Sequence, residues 1–198
     1  MLFDHVLLAL LWITYCVLHS WLATRECKLW MQKKLKKGFK YYRLGYTLFA
    51  FLSLVPVVYY QIKLPTIRMF TPGFFILLMG SLIGAAGLVL MLICIKKYFI
   101  GLSGLLSLVQ DNSTNQLIIR GVHRYVRHPL YLGTFAMLWG LLLLLPYVSL
   151  LIAVTIITAY TLFGIRLEET KLVEEFGERY VSYQRQVPMI IPRLQARK

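Results

Sequence analysis

Acidic residues are scarce in this sequence. It has 8 aspartates and glutamates against 22 lysines and arginines, which gives a formal net charge of +14 in 198 residues. A basic excess of this size is compatible with nucleic-acid binding. However, the basic residues stand at the ends of apolar segments, where their side chains can reach anionic lipid headgroups. We therefore predict a lipid bilayer as partner and no nucleic acid.

Cysteines and metal-binding motifs are also few. Cys16, Cys27 and Cys94 lie far apart without a CxxC pair, which argues against a disulfide framework and a zinc site. His123 and His128 are five residues apart, and neither HExxH nor a repeated HxxxH occurs, so we predict no metal site. The absence of GxSxG argues against a serine triad. The sequence also lacks a GxGxxG after a predicted strand, which argues against a Rossmann fold.

Apolar residues, in contrast, dominate the chain. They make up 59% of it, and the mean hydropathy is +0.66. A soluble domain has an apolar share of about 45–50%, so we predict an integral membrane protein. No linker of the Gly/Ser- or Pro-rich type divides the sequence, which favours a single membrane domain over residues 1–198. Residues 1–97 would supply three membrane spans, and residues 98–198 the rest.

The apolar runs predict an all-α polytopic bundle of about five transmembrane helices. A run of about 20 residues crosses ~30 Å of hydrocarbon at 1.5 Å per residue. The first run follows Asp4 and has no basic residues ahead of it, so we expect a retained span and not a cleaved signal peptide. Gly80, Gly84 and Gly87 in the third run predict close helix packing. The predicted spans are residues 3–23, 42–62, 73–95, 129–145 and 147–165.

The last two spans come from one stretch, residues 130–165, that carries no formal charge. One helix of that length would be far too long for a bilayer, so Pro146 is expected to break it into a helical hairpin. After the hairpin, apolar residues recur at intervals of three and four, which predicts an amphipathic C-terminal helix. The following residues 187–192 contain two prolines and are expected to be extended. The apolar residues of the predicted helix are Leu172, Val173, Phe176, Tyr180 and Tyr183.

Basic residues predict the orientation. Eight of them accompany a single acid, Glu26, between the first two spans. By the positive-inside rule this segment is cytoplasmic and the N-terminus lies outside. The same rule places the amphipathic helix and the C-terminus in the cytoplasm, at a bacterial inner membrane or a eukaryotic endomembrane. The eight residues, here called the basic segment, are Arg25, Lys28, Lys33, Lys34, Lys36, Lys37, Lys40 and Arg43.

A polar run over residues 121–133 stands directly ahead of the fourth span. It contains Arg124, Arg127 and His128 before Pro129. One interpretation is mechanical, because proline suits the first position of a helix and arginine can snorkel. The other is a binding site, since polar residues at the edge of hydrocarbon are costly.

A second polar cluster, Arg166 with Glu168 and Glu169, follows the fifth span. Two adjacent carboxylates at the membrane edge are expensive unless they meet a cation, and the hairpin returns them to the first cluster. We therefore predict that the two clusters form one site on the cytoplasmic side.

The two clusters carry a family resemblance. The run Gly121-Val122-x-x-Tyr125-Val126-Arg127-His128-Pro129-x-Tyr131-x-Gly133, the uncharged hairpin and Glu168-Glu169 resemble the isoprenylcysteine carboxyl methyltransferase-like membrane methyltransferases. Relatives of that family include phospholipid N-methyltransferases, and the resemblance covers about residues 98–193. In the first half, His19-Ser20-x-x-Ala23 and Tyr42-Arg43-x-x-Tyr46 are similar to bacterial methanethiol S-methyltransferases.

The resemblance implies that S-adenosylmethionine binds to residues 98–198 without a Rossmann domain. Position 123, often tyrosine in the family, is histidine here, and Tyr125 can compensate. The implied catalytic candidates are Glu168, Glu169, Arg166 and His19, with His19 or Glu169 as the base if the acceptor arrives protonated. The implied cofactor-binding residues are Leu117, Ile118, His123, Tyr125, Arg127, His128, Pro129, Leu130, Tyr131 and Glu168.

Methyl transfer is a direct displacement that mainly requires alignment and exclusion of water. The resemblance thus implies transfer to a small or lipid-like thiol, carboxylate or amine that enters from the bilayer. An NADPH-dependent sterol or steroid reductase is an alternative, because those enzymes share an Arg-His-Pro motif. They carry Asn and Glu where this chain has Leu130 and Thr134. A non-enzymatic membrane scaffold, whose polar clusters only cap helices, is the third hypothesis.

Overall fold

The computed structural model describes residues 1–103, 117 and 119–192, with the backbone alone for residues 97–103. These residues form helices and loops, with one isolated β-bridge between Arg68 and Tyr147. The predicted all-α class is confirmed. The predicted cofactor residue Ile118 lies outside the described residues. The α-helices are α1 Leu2–Ala23, α2 Arg25–Leu35, α3 Tyr42–Lys63, α4 Phe74–Ser103, α5 Pro129–Leu144, α6 Val148–Phe176 and α7 Glu178–Gln186, and the 3-10 segments are Lys36–Tyr41 and Gly121–Arg124.

Four helical stretches are long and apolar enough to cross a membrane: Leu2–Ala23, Arg25–Lys63, Phe74–Lys96 and Val148–Phe176. Helix α5 is apolar but has 16 residues, about 24 Å at 1.5 Å per residue. The chain is thus an integral membrane protein, and its described residues include four long candidate spans and one shorter apolar helix. The predicted helix break is confirmed, because α5 ends at Leu144 and α6 begins at Val148.

Two predicted boundaries differ from the structure. The segment between the first two spans is largely helical, because the Thr24 side chain caps α2 by accepting a hydrogen bond from the Cys27 N–H at 3.2 Å. The amphipathic segment after the fifth span is not a separate helix, since α6 continues without interruption to Phe176. Gly177 then takes a φ of +56°, which glycine tolerates, and α7 begins after it.

The described chain divides into two compact units. The first contains residues 1–71, 98–103 and 145–157 of the described chain, so that it includes the end of α4 and the beginning of α6. Its core combines residues of α1, of α3 and the residue that follows it, and of α6, and the Trp12 Nε1–H donates to Gln61 Oε1 at 2.7 Å. The loop after α3 is fixed because the Met69 N–H donates to the Pro146 carbonyl at 2.7 Å. The buried core residues are Leu8, Trp12, Val57, Leu64 and Ala153.

The second unit contains residues 72–97, 119–144 and 158–192 of the described chain. In it, α5 pairs with the later part of α6, and the Trp139 Nε1–H donates to Thr158 Oγ1 at 3.2 Å. Helices α4 and α5 approach so closely that a Cβ at Gly140 would lie 2.5 Å from the Gly84 nitrogen and 2.8 Å from the Gly80 carbonyl oxygen. The predicted role of the α4 glycines in helix packing is thereby confirmed.

Gly140→Ala should therefore destabilise the protein by about 1–3 kcal/mol, because the added methyl group meets backbone atoms that cannot move aside. Gly164→Ala in α6 is the matched control, since nothing lies within 4 Å of a Cβ there. Thermal unfolding in detergent measures both variants. Equal unfolding temperatures for the two would show that α4 and α5 are not in backbone contact.

Candidate active site

The polar run is held between the beginning of α5 and the C-terminal segment. Pro129 is buried at the first position of α5, where its missing N–H leaves no hydrogen bond unmade. The two residues before it pair with the segment after α7, because the Arg127 N–H donates to the Pro188 carbonyl at 2.9 Å and the His128 N–H to the Met189 carbonyl at 3.1 Å. The predicted extended segment 187–192, here called the C-terminal strap, is therefore non-helical and lies against this run.

The Arg127 side chain fixes the same two parts of the chain. Its Nε–H donates to Glu169 Oε1 at 2.7 Å. Its Nη1 donates to the Gln184 carbonyl at 3.1 Å and also to the Val187 carbonyl. The guanidinium thus joins the polar run, α6, the end of α7 and the strap. The predicted contact between the two polar clusters is confirmed for Arg127 and Glu169.

Glu169 accepts hydrogen bonds from four side chains. Besides Arg127, His128 Nε2 lies 3.1 Å from its Oε1, and the Gln184 amide donates to its Oε2 at 3.2 Å. The Tyr180 hydroxyl completes the set at 3.5 Å. The exposed fraction is 14% for the Glu169 side chain and 9% for Arg127. Because a buried charge is costly unless it is paired and hydrogen-bonded, this carboxylate is held as part of the structure.

Tyr180 reinforces this environment. It is 2% exposed and packs with Tyr183 and Val187 in a small apolar core. Burial, followed by the negative charge of Glu169, raises the pKa of Tyr180 above its ordinary value. The residue therefore stays a neutral phenol and a hydrogen-bond donor over the whole physiological pH range.

Glu168, the neighbouring acid, has a different environment. Its side chain is 46% exposed. The Tyr131 hydroxyl donates to its Oε2 at 3.1 Å, and His128 Nδ1 lies 3.9 Å from the same oxygen. The rings of His128 and Tyr131 stack at a centroid distance of 5.7 Å. Glu168 is thus a positioned carboxylate that can still accept hydrogen bonds from a ligand.

Two other predicted site residues, His123 and Leu117, contact the polar run or α7. His123 Nδ1 lies 3.1 Å from the Arg127 carbonyl oxygen, and the His123 carbonyl accepts from the Tyr183 hydroxyl at 2.6 Å. Leu117 packs against the core of Tyr180, Tyr183 and Val187. Histidine at position 123 therefore supports the fold of the polar run.

The remaining predicted residues differ in exposure. Arg166 and Tyr125 are exposed, and Leu130 is half-buried. His19 lies in the first unit, where the Tyr46 hydroxyl is 2.8 Å from its Nε2 and its ring stacks on Tyr15. Among the described residues, no group of three or more His, Cys, Asp and Glu side chains is arranged to hold a metal ion.

Sequence reasoning missed two partners of Glu169, namely Tyr180 and Gln184. Tyr180 was identified as part of an apolar face, which is correct for its ring. Nothing in the residue spacing reveals that its hydroxyl reaches a carboxylate. The carbonyl groups of Gln184 and Val187 also carry no signal in the sequence, because every residue has one.

Comparison with known proteins gives consistent matches. The phospholipid methyltransferase family matches residues 76–179. A methanethiol S-methyltransferase of Crocosphaera subtropica is 31% identical over 188 residues, which cover 90% of this chain and 71% of the relative. Methanethiol S-methyltransferase 1 of Bradyrhizobium diazoefficiens is 31% identical over 92% of this chain and 65% of its own length.

A shorter match concerns a second kind of enzyme. A protein-S-isoprenylcysteine O-methyltransferase of Schizosaccharomyces pombe is 37% identical over 84 residues, which are 41% of this chain and 35% of the relative. No solved structure matches the chain significantly.

The two adjacent acids should respond differently to loss of charge. Glu169→Gln leaves the buried Arg127 without its counter-ion, which should lower the free energy of unfolding by about 3–5 kcal/mol. Glu168→Gln removes a half-exposed charge and should change stability by less than about 1 kcal/mol. Unfolding of the two variants in detergent, followed by circular dichroism, makes the comparison. A greater loss of stability in Glu168→Gln would contradict the assignment.

Proposed function

The chain belongs to the phospholipid methyltransferase family and is a membrane methyltransferase that uses S-adenosylmethionine, and we propose that its methyl acceptor is a small thiol. The observation that carries this proposal is the extent of similarity to methanethiol S-methyltransferases, which includes both halves of the chain. The shorter match to isoprenylcysteine O-methyltransferase supports a carboxylate on a lipid-like cysteine as the second candidate.

We place the cofactor beside Glu168. S-adenosylmethionine offers ribose hydroxyls and an ammonium group, which need an acceptor, and a carboxylate, which needs a donor. Glu168 is an exposed acceptor, while Arg124 and Arg166 are exposed donors in the same unit. The charges and hydrogen-bonding groups available in this unit therefore fit the cofactor. When bound, the cofactor supplies the electrophilic methyl group.

The buried ion pair of Arg127 and Glu169 has a different role. Arg127 and Glu169 are satisfied by protein groups, so we assign them a positioning role: they hold the polar run against α6 and the strap. His128 connects the two acids, with Nε2 toward Glu169 and Nδ1 toward Glu168. This arrangement keeps Glu168 in one orientation, which reduces the entropy lost on cofactor binding.

The acceptor must reach the methyl group as a thiolate. A thiol attacks well only after its proton is removed, so a base or the solvent must take the proton. Of the two bases suggested by the sequence, Glu169 is occupied by four donors. His19 is hydrogen-bonded as well, to the Tyr46 hydroxyl, so its role as the base stays a prediction.

We further propose that this site faces the cytoplasm, where the cofactor is made available. The basic segment supports this orientation, since its eight cations accompany one acid. The N-terminus would then lie on the opposite side of the membrane, and the C-terminal strap in the cytoplasm.

Glu168→Gln should weaken S-adenosylmethionine binding about 10-fold to 100-fold, because a hydrogen bond to a charged group contributes about 1.5–3 kcal/mol. Isothermal titration calorimetry in detergent measures the affinity. Glu174→Gln is the matched control, since Glu174 is exposed on the same helix. Unchanged affinity in Glu168→Gln would remove this residue from the cofactor site.

The choice of acceptor can be tested with radiolabelled methyl donor. The purified protein should convert methanethiol to a labelled volatile thioether. A farnesyl-cysteine analogue should be methylated at least 10-fold more slowly at equal concentration. Labelling of the farnesyl-cysteine carboxylate without any thioether product would reverse the order of the two candidates.

A further inference from the structure

A cavity of about 460 Å³ lies within the first unit. Side chains of α1, α2, the 3-10 segment and α3 form its wall, among them Trp21, Leu22, Met31, Tyr41 and Gly45. Every lining residue is aliphatic, aromatic or glycine. The volume is within the range of about 300–1,000 Å³ that is typical of ligand sites.

Two of the three tyrosine hydroxyls in this wall are hydrogen-bonded within the protein. The Tyr42 hydroxyl donates to the Leu22 carbonyl at 2.6 Å. The Tyr46 hydroxyl lies 2.8 Å from His19 Nε2. The wall therefore offers mainly apolar surface, which a hydrocarbon chain can contact closely. The interior favours a flexible apolar chain.

Cations are concentrated in the elements that form this cavity. All eight residues of the basic segment are exposed, and Glu26 is the single acid in that stretch. The Lys40 ammonium lies 4.9 Å from the ring centroid of Tyr41, which lines the cavity. Lys36 and Lys37 belong to the same 3-10 segment as Gly38, another lining residue. Positive charge therefore stands close to the rim.

We propose that this cavity binds one acyl chain of an anionic phospholipid, with the lipid phosphate held by Lys37 and Lys40. Charge complementarity favours this occupant, because a lipid phosphate would meet the exposed positive charges next to the rim. Exposed Trp21 and Tyr41 have the amphipathic rings that occupy the headgroup level of a bilayer. The proposal concerns the first unit alone and does not depend on the identity of the methyl acceptor.

Fluorescence quenching of the purified full chain in nonionic detergent tests the proposal. The probes are phosphatidylglycerol and phosphatidylcholine with the same brominated acyl chains. Brominated phosphatidylglycerol should quench saturably at a lower mole fraction than brominated phosphatidylcholine. Trp21→Phe should remove the saturable part of the signal, because Trp21 lines the cavity. Equal half-quenching concentrations for the two lipids would overturn the proposal.

Two double variants distinguish a specific lipid site from a non-specific attraction between the basic residues and anionic lipid. Lys37→Gln/Lys40→Gln should weaken phosphatidylglycerol binding about 25-fold, because each lysine near an anionic lipid contributes a factor of roughly five. Lys63→Gln/Arg68→Gln removes the same charge from another part of the first unit and should have little effect. An equal loss in both double variants would refute a specific site.

Filling the cavity gives an independent test. Gly45→Phe should abolish saturable quenching, and the side chain has room since nothing lies within 4 Å of a Cβ there. If thermal unfolding shows that this variant is misfolded, Gly38→Leu provides the second, because its Cβ would meet only Leu35 Cβ at 3.9 Å. Undiminished phosphatidylglycerol binding in a folded filled variant would show that the lipid does not use the cavity.

Discussion

The buried ion pair of Arg127 and Glu169 is the interaction on which the second unit depends. Two largely buried charges are tolerated because they pair with each other and because Nε and Nη1 of Arg127 and both carboxylate oxygens of Glu169 are hydrogen-bonded. Arg127 donates to one carboxylate and two carbonyl groups, while Glu169 accepts from four side chains. The network joins the start of α5, the end of α6, α7 and the strap. These segments are distant in sequence, and hydrophobic packing alone would not fix their register as uniquely.

That constraint explains how adjacent acids acquire different functions. Successive residues on a helix point about 100° apart, so Glu169 turns toward the arginine while Glu168 turns toward Tyr131 and remains half-exposed. One carboxylate is tied into the structure, and the other remains accessible to solvent. His128 contacts both, so a change in the buried pair would also alter the orientation of the exposed acid. Loss of activity after substitution of Glu169 would therefore be an indirect effect.

Much of the fold and the pairing of the two polar clusters could be predicted from the sequence. Apolar run lengths and Pro146 give the helices and the break between α5 and α6, and the cost of unpaired charge near hydrocarbon predicts that Glu169 meets a cation. The helical character of residues 25–35 was missed, because α2 is short and rich in charge, and its apolar residues are too few for a clear period. Which of the two acids is buried also could not be predicted, since that depends on the helix phase of α6 as set by the packing of Tyr180.

The two units differ in the arrangement and accessibility of their polar side chains, and this difference has a functional consequence. In the second unit, polar side chains converge and leave one carboxylate accessible, which suits a charged, water-soluble cofactor. In the first, two of the three tyrosine hydroxyls around the cavity are bonded back to the protein, the cavity is mainly apolar, and exposed lysines stand close to its rim. Such a surface cannot recognise the cofactor, but it can hold a membrane lipid. A membrane methyltransferase takes a water-soluble cofactor while its helices keep a fixed depth in the bilayer, so the two units have different requirements. A bound anionic lipid would satisfy the second requirement, since it ties the basic segment to the headgroup level.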